Sequence, residues 1–165
     1  MGFFKFTVMI EAKDLRIGNL ITWNPQLLNP NVTLPPLQIE VFAILPRGVG
    51  YVFPNIENRV EPFEDDIAQI GERFKRLEEL EPIALSIEIL ENEGFTQKGG
   101  LLGSKYFEKG DLQLKQTGNY FTSVSVTALH THEFTLPIRH FHQLQNLYFA
   151  LTGEELETKL HGQQS

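Results

Sequence analysis

Between residues 3 and 10 apolar and polar positions alternate. Phe4, Phe6, Val8 and Ile10 fall on one face and Lys5 and Thr7 on the other, the pattern of a half-buried strand. Arg16–Ile17–Gly18–Asn19 predicts a turn, and Leu20–Ile21–Thr22–Trp23 a second strand. Pro25, Pro30, Pro35 and Pro36 make residues 24–36 a loop, because repeated proline removes the donors a ladder needs. Leu37, Ile39, Val41, Ala43 and Leu45 alternate with Gln38 and Glu40. Pro46–Arg47–Gly48 then turns the chain, and Val49 to Phe53 returns as the hairpin partner. Residues 1–60 therefore predict a small antiparallel β unit of SH3-like size.

The period then changes. Phe63, Ile67, Ile70, Phe74 and Leu77 recur at 4-3-4-3 spacing, one stripe of a helix within 61–80. Pro62 suits its first position. Glu64, Asp65 and Asp66 near the start and Arg73, Lys75 and Arg76 near the end complement the helix dipole. Gly71 costs this helix about 1 kcal/mol against alanine. A shorter helix follows, capped by Ser86, with Ile87 and Leu90 inward. Gly94 ends it, and Phe95 folds back on Leu90. Gln97 to Ser104 predicts a glycine-rich loop. Strands are expected at Lys105–Phe107, Leu112–Leu114 and Tyr120–Val126, with Glu133–Ile138 as a fourth. A last helix is expected from Arg139 to Leu151, its core stripe Phe141, Leu144, Leu147, Tyr148 and Leu151. The expected class is α+β: the β unit 1–60, an acidic amphipathic linking helix 61–80, a helix–three/four strands–helix unit 81–156 and a frayed tail 157–165.

Composition narrows the chemistry. The 165 residues are 41% hydrophobic and 21% charged, a globular balance for one domain or two small ones. With no cysteine, disulfides, thiolate nucleophiles, zinc fingers and iron–sulfur clusters are excluded. No apolar run approaches the roughly 18 residues of a membrane span. The net charge of −7 is local: Glu61 to Glu93 holds 11 acidic and 3 basic residues, −8, leaving 10 acidic and 11 basic elsewhere, +1. No Lys/Arg stripe runs along the chain to neutralise phosphates, so direct nucleic-acid binding is not expected. Lys5 interrupts the first apolar stretch, and Phe6 stands where a myristoylation signal wants Ser or Thr. A cytoplasmic protein is expected, in which the Asn31–Val32–Thr33 sequon is idle.

Leu15–Arg16–Ile17–Gly18–Asn19 near the start and the run from His142 to Leu156 (HQLQNLYFALTGEEL) resemble a family of small uncharacterised proteins. The family occurs in bacteroidete bacteria, often in prophage or mobile-element settings. Glu81–Pro82–Ile83–Ala84–Leu85–Ser86, Gly94–Phe95 and Tyr106–Phe107 are similar to it too. The resemblance implies a small β unit followed by helix, strands and helix, with no assigned activity. Asn24 to Leu80 reads as an insert relative to it.

Four histidines, His130, His132, His140 and His142, fall within 13 residues. On a strand His130 and His132 share a face, as a metal pair requires. Read structurally, they are surface histidines flanking a hairpin, with His142 packing at the helix start. Gly99–Gly100–Leu101–Leu102–Gly103–Ser104–Lys105 has the glycines of a phosphate loop but the wrong order and context. The carboxylates Asp65, Asp66, Glu78, Glu79 and Glu81 read as a solvated face, with an acidic docking surface for a basic partner, DNA mimicry included, as the alternative. No local pattern frames a serine nucleophile. On the last helix His142, Gln145, Asn146 and Phe149 share a face distinct from the core stripe; either the helix packs on two sides, between its own sheet and the N-terminal unit, or this face is a candidate contact for a partner protein or second copy. No cofactor is expected. The function expected is that of a non-enzymatic interaction protein accessory to a mobile element or prophage. The alternatives are a small metal-dependent enzyme or sensor using the four histidines, and a phage structural component.

Overall fold

The computed structural model describes residues 10–31, 33–53, 74–100, 104–126, 131–156 and 158. The chain divides into two compact units, Met1–Ile83 and Ala84–Ser165.

In the first unit β1 (Leu20–Trp23), β2 (Leu37–Leu45), β3 (Gly48–Val52), β4 (Phe74–Arg76) and β5 (Leu80–Glu81) form one antiparallel sheet. Its order is β4-β3-β2-β1-β5. Leu20 lies across from Glu40 and Trp23 across from Leu37, so Ile21 and Ile39 face the core together. Val41, Val49, Tyr51 and Leu80 complete that core with Ile10 and Leu15. The turn before β1 is tied to β2: Gly18 donates to the Val41 carbonyl at 2.7 Å, and Val41 donates to the Asn19 carbonyl at 2.9 Å. The Asn19 side chain, fully buried, accepts from the Arg16 N–H at 2.7 Å. A bulge between Val41 and Ala43 breaks the alternation of β2. Ile44 and Leu45 are consequently exposed, although the period places Leu45 inward.

β4 and β5 end the sheet on opposite sides, yet only the 3-10 turn Leu77–Glu79 separates them. Five flat strands would hold their outer members about 19 Å apart. Three residues of 3-10 helix span about 6 Å. The sheet must therefore curl until its ends approach.

The expected helix 61–80 is corrected at its C-terminal end. Residues 61–73 lie outside the described residues, and 74–81 form strand, 3-10 turn and strand. Phe74–Arg76 find ladder partners at Gly48–Gly50, where a missing Cβ lets β4 close in. Pairing thus overrides the helical spacing of Phe74 and Leu77.

The second unit starts with α1 (Ile87–Asn92), only six residues long. Ser86 Oγ accepts from the Ile89 N–H at 3.2 Å. Gly94 is left-handed at φ 83°, and Phe95 donates to the Leu90 carbonyl. A five-strand meander follows, β6 (Thr96–Gly99), β7 (Lys105–Lys109), β8 (Leu112–Thr117), β9 (Tyr120–Val126) and β10 (Thr131–Ile138), in sequential order. β10 is bulged between Phe134 and Pro137. Phe107 and Phe121 pack edge to face at 5.7 Å within the core. α2 (Phe141–Thr152) follows, buried at Phe141 and Leu144, and a left-handed Gly153 ends it.

The expected helix–meander–helix layout is therefore corrected, and the α+β class holds only loosely. The protein is mostly β: two antiparallel five-stranded sheets, with one helix longer than six residues among those described. β6 replaces part of the expected loop, because a strand with four exposed residues has no hydrophobic period to announce it. Among the described residues no helix is long and apolar enough to cross a membrane.

Candidate functional site

Gln143 fixes the start of α2. Its Oε1 accepts from the Arg139 N–H at 2.9 Å and the His140 N–H at 3.2 Å, the two donors just ahead of the first helical residue. From there the buried arc runs through Phe141, His142, Leu144 and Gln145. Its centre lies between Phe141 and Gln145, not on Leu144. The expected core member Leu151 is 59% exposed, and Leu147 and Tyr148 are half-buried. Of the four expected partner residues, His142 (3% exposed) and Gln145 (2%) are inside the fold, and Asn146 is half-buried. Phe149 is 37% exposed. The four do not make one exposed patch.

Of the four histidines, His140 and His142 have described side chains. His130 lies outside the described residues. His132 sits on β10 opposite Ser125. His140 and His142 stack with ring centroids 5.7 Å apart and planes 8° from parallel. Imidazole lone pairs lie in the ring plane, so two stacked rings do not aim them at one ion. Burial and, after it, the Arg139 guanidinium push the His140 pKa down. Among the described residues no three His, Asp or Glu side chains are grouped to hold a metal.

The glycine-rich segment is used for packing where it is described. Gly100 donates to the Ser104 carbonyl at 2.7 Å, and a Cβ there would lie 2.2 Å from the Tyr106 ring. Leu101, Leu102 and Gly103 lie outside the described residues, as do Asp65 and Asp66. Glu78 is exposed, whereas Glu79 accepts from the Arg76 N–H at 3.0 Å and caps the 3-10 turn.

Two clusters escape the sequence pattern. In the second unit the buried Glu93 receives the Thr158 hydroxyl at 3.1 Å, and its carbonyl receives Lys109 Nζ at 2.7 Å. This clasp holds the end of α1 to β7 and to the segment after α2. It gives Thr158 a place, in a region expected to fray.

The other cluster is in the first unit. β1 supplies Trp23, the one tryptophan of the chain, β3 supplies Tyr51, and β4 supplies Lys75. Lys75 Nζ lies 3.6 Å from the centroid of the Trp23 ring and 5.6 Å from that of Tyr51. Phe53 packs edge-on against Tyr51 at 5.2 Å. Carboxylates stand at the rim: Glu79 Oε1 accepts from Trp23 Nε1 at 3.4 Å, and Glu81 Oε2 accepts from Asn24 Nδ2 at 3.0 Å. An ammonium held against aromatic faces beside carboxylates is a cation-binding arrangement. The curl of the sheet brings β4 to β1. No hydropathy pattern encodes that approach, and a tryptophan in a strand reads as core.

No family model, curated protein or solved structure matches the chain.

Proposed function

We propose that the protein is a non-enzymatic interaction protein, working through contact with a protein partner or a second copy, as an accessory of a bacterial mobile element or prophage. The observation that carries this reading is the surface of α2. The helix Phe-His-Gln-Leu-Gln-Asn-Leu-Tyr-Phe-Ala-Leu-Thr contains no Asp, Glu, Lys or Arg. Its exposed residues are Phe149, Ala150, Leu151 and Thr152, with Asn146, Leu147 and Tyr148 half-buried beside them. A solvent-facing helix normally places charge opposite its core stripe. Depletion of charge with apolar and aromatic enrichment marks the centre of an interface instead. The mobile-element setting rests on the resemblance of Leu15–Asn19 and His142–Leu156 to the prophage-associated family.

Leu151→Asp tests the reading. The substitution should leave stability within about 0.5 kcal/mol, as surface changes do. Leu144→Ala, at a fully buried position, should cost about 2–5 kcal/mol. Leu151→Asp should abolish self-association in light scattering, or partner capture from the host. If the folded variant associates as the parent does in both assays, α2 is not the contact surface.

A further inference from the structure

We propose that Trp23 and Tyr51 form a binding box for an alkylammonium group, and that Lys75 is its resident internal occupant. The box is independent of the α2 surface and lies wholly within the first unit.

Three observations support it. The first is geometry: an ammonium within 6 Å of an aromatic centroid, over the face of the ring, gains from the ring quadrupole, most of all on tryptophan. Lys75 Nζ at 3.6 Å from Trp23 and 5.6 Å from Tyr51 meets that condition twice. The second is electrostatic. Glu79 accepts from Trp23 Nε1 itself, and Glu81 accepts from the side chain of the next residue, Asn24. An incoming cation is attracted there and an anion repelled.

The third is the mounting of Lys75. It sits in the middle of a three-residue strand at the end of the sheet, held to β3 by the pairs Gly48–Arg76, Val49–Lys75 and Gly50–Phe74. Both ring-bearing strands, β1 and β3, have a neighbour on each side. The rings are therefore fixed, whereas the lysine hangs on a short edge element by a flexible four-carbon stem. A ligand cation needs only to displace one side chain. Trp23 and Lys75 are both half-buried while Tyr51 is buried, so a ligand reaches the box from its Trp23 side. Its ligand class is a lysine-type or quaternary ammonium.

The single tryptophan reports directly on the box. The full chain and Lys75→Ala are titrated with tetramethylammonium chloride while Trp23 emission is followed. Sodium chloride at equal ionic strength and the neutral isostere 3,3-dimethylbutanol serve as controls. In Lys75→Ala the change should saturate, with half-saturation about tenfold lower than in the parent. Tyr51→Leu in that background should weaken it. A response absent from folded Lys75→Ala, or equal for the neutral isostere, overturns the proposal.

Should Lys75→Ala not fold, the parent decides by NMR. The Lys75 ε-methylene protons should resonate upfield under the ring current of Trp23. Tetramethylammonium should move them back toward ordinary lysine values, and failure to do so rejects the box. Trimethyllysine amide and choline, compared in the same titration, separate a protein side chain from a lipid-type headgroup as the source.

Discussion

At His140 burial, and after it the Arg139 guanidinium, lower the imidazole pKa from its ordinary 6.5. Above that value the ring is neutral in folded and unfolded chains alike. As pH falls below it, the unfolded chain takes the proton first, so the folded state loses stability. The loss is complete once pH has dropped through the lowered folded value. Urea melts between about pH 7.5 and about pH 5 should show this decline, and His140→Gln should flatten it. An unchanged slope in the variant would show that His140 does not drive it. Residues of this kind are where the sequence was least legible. Residue type leaves His142 and Gln145 open between an internal face and a contact face, and the fold buries both beside Phe141 and Leu144. Trp23 and Lys75 lie on β1 and β4, which are not neighbours in the sheet, and only its curl joins them.

Elements were legible in proportion to their length and alternation. Leu20–Trp23, the Leu37–Val41 part of β2 and the caps Ser86 and Gly94 follow from residue type and spacing. β4, β5 and β6, at three, two and four residues, are too short or too polar for a period to form. For β4 the signal is glycine placement. At Gly48 a Cβ would lie 2.1 Å from the Lys75 carbonyl oxygen and 2.5 Å from the Phe74 ring. Gly48→Ala should therefore push β4 off β3, costing about 1–3 kcal/mol as overpacking does. It should also disturb Trp23 emission, since Lys75 would leave the ring. A denaturation midpoint and emission spectrum equal to the parent's would show that β4 is not held so closely.

For the whole molecule, a β unit, a linking helix over 61–80 and a helix–strands–helix unit together predict an α+β chain. The described residues form two units, each with its own five-stranded sheet. Local periodicity reports an element, but the class depends on pairing between distant segments, which a single stripe does not encode. The two sheets also differ at their ends. In the first, the 3-10 turn Leu77–Glu79 ties the terminal strands together. In the second, β6 and β10 are both terminal. A terminal strand offers unpaired N–H and C=O groups on which another chain can add a strand, the first step toward fibrils. β6 answers with four exposed residues, Lys98 among them. β10 answers with its bulge and with Pro137, which has no N–H to offer. Lys98→Val combined with Pro137→Val should accelerate thioflavin-positive aggregation at unchanged melting temperature, and parent-like kinetics would sink the idea. The bulge and the polar, glycine-ended strand that hid from hydropathy thus act as gatekeepers, keeping one copy's sheet from becoming a template for the next.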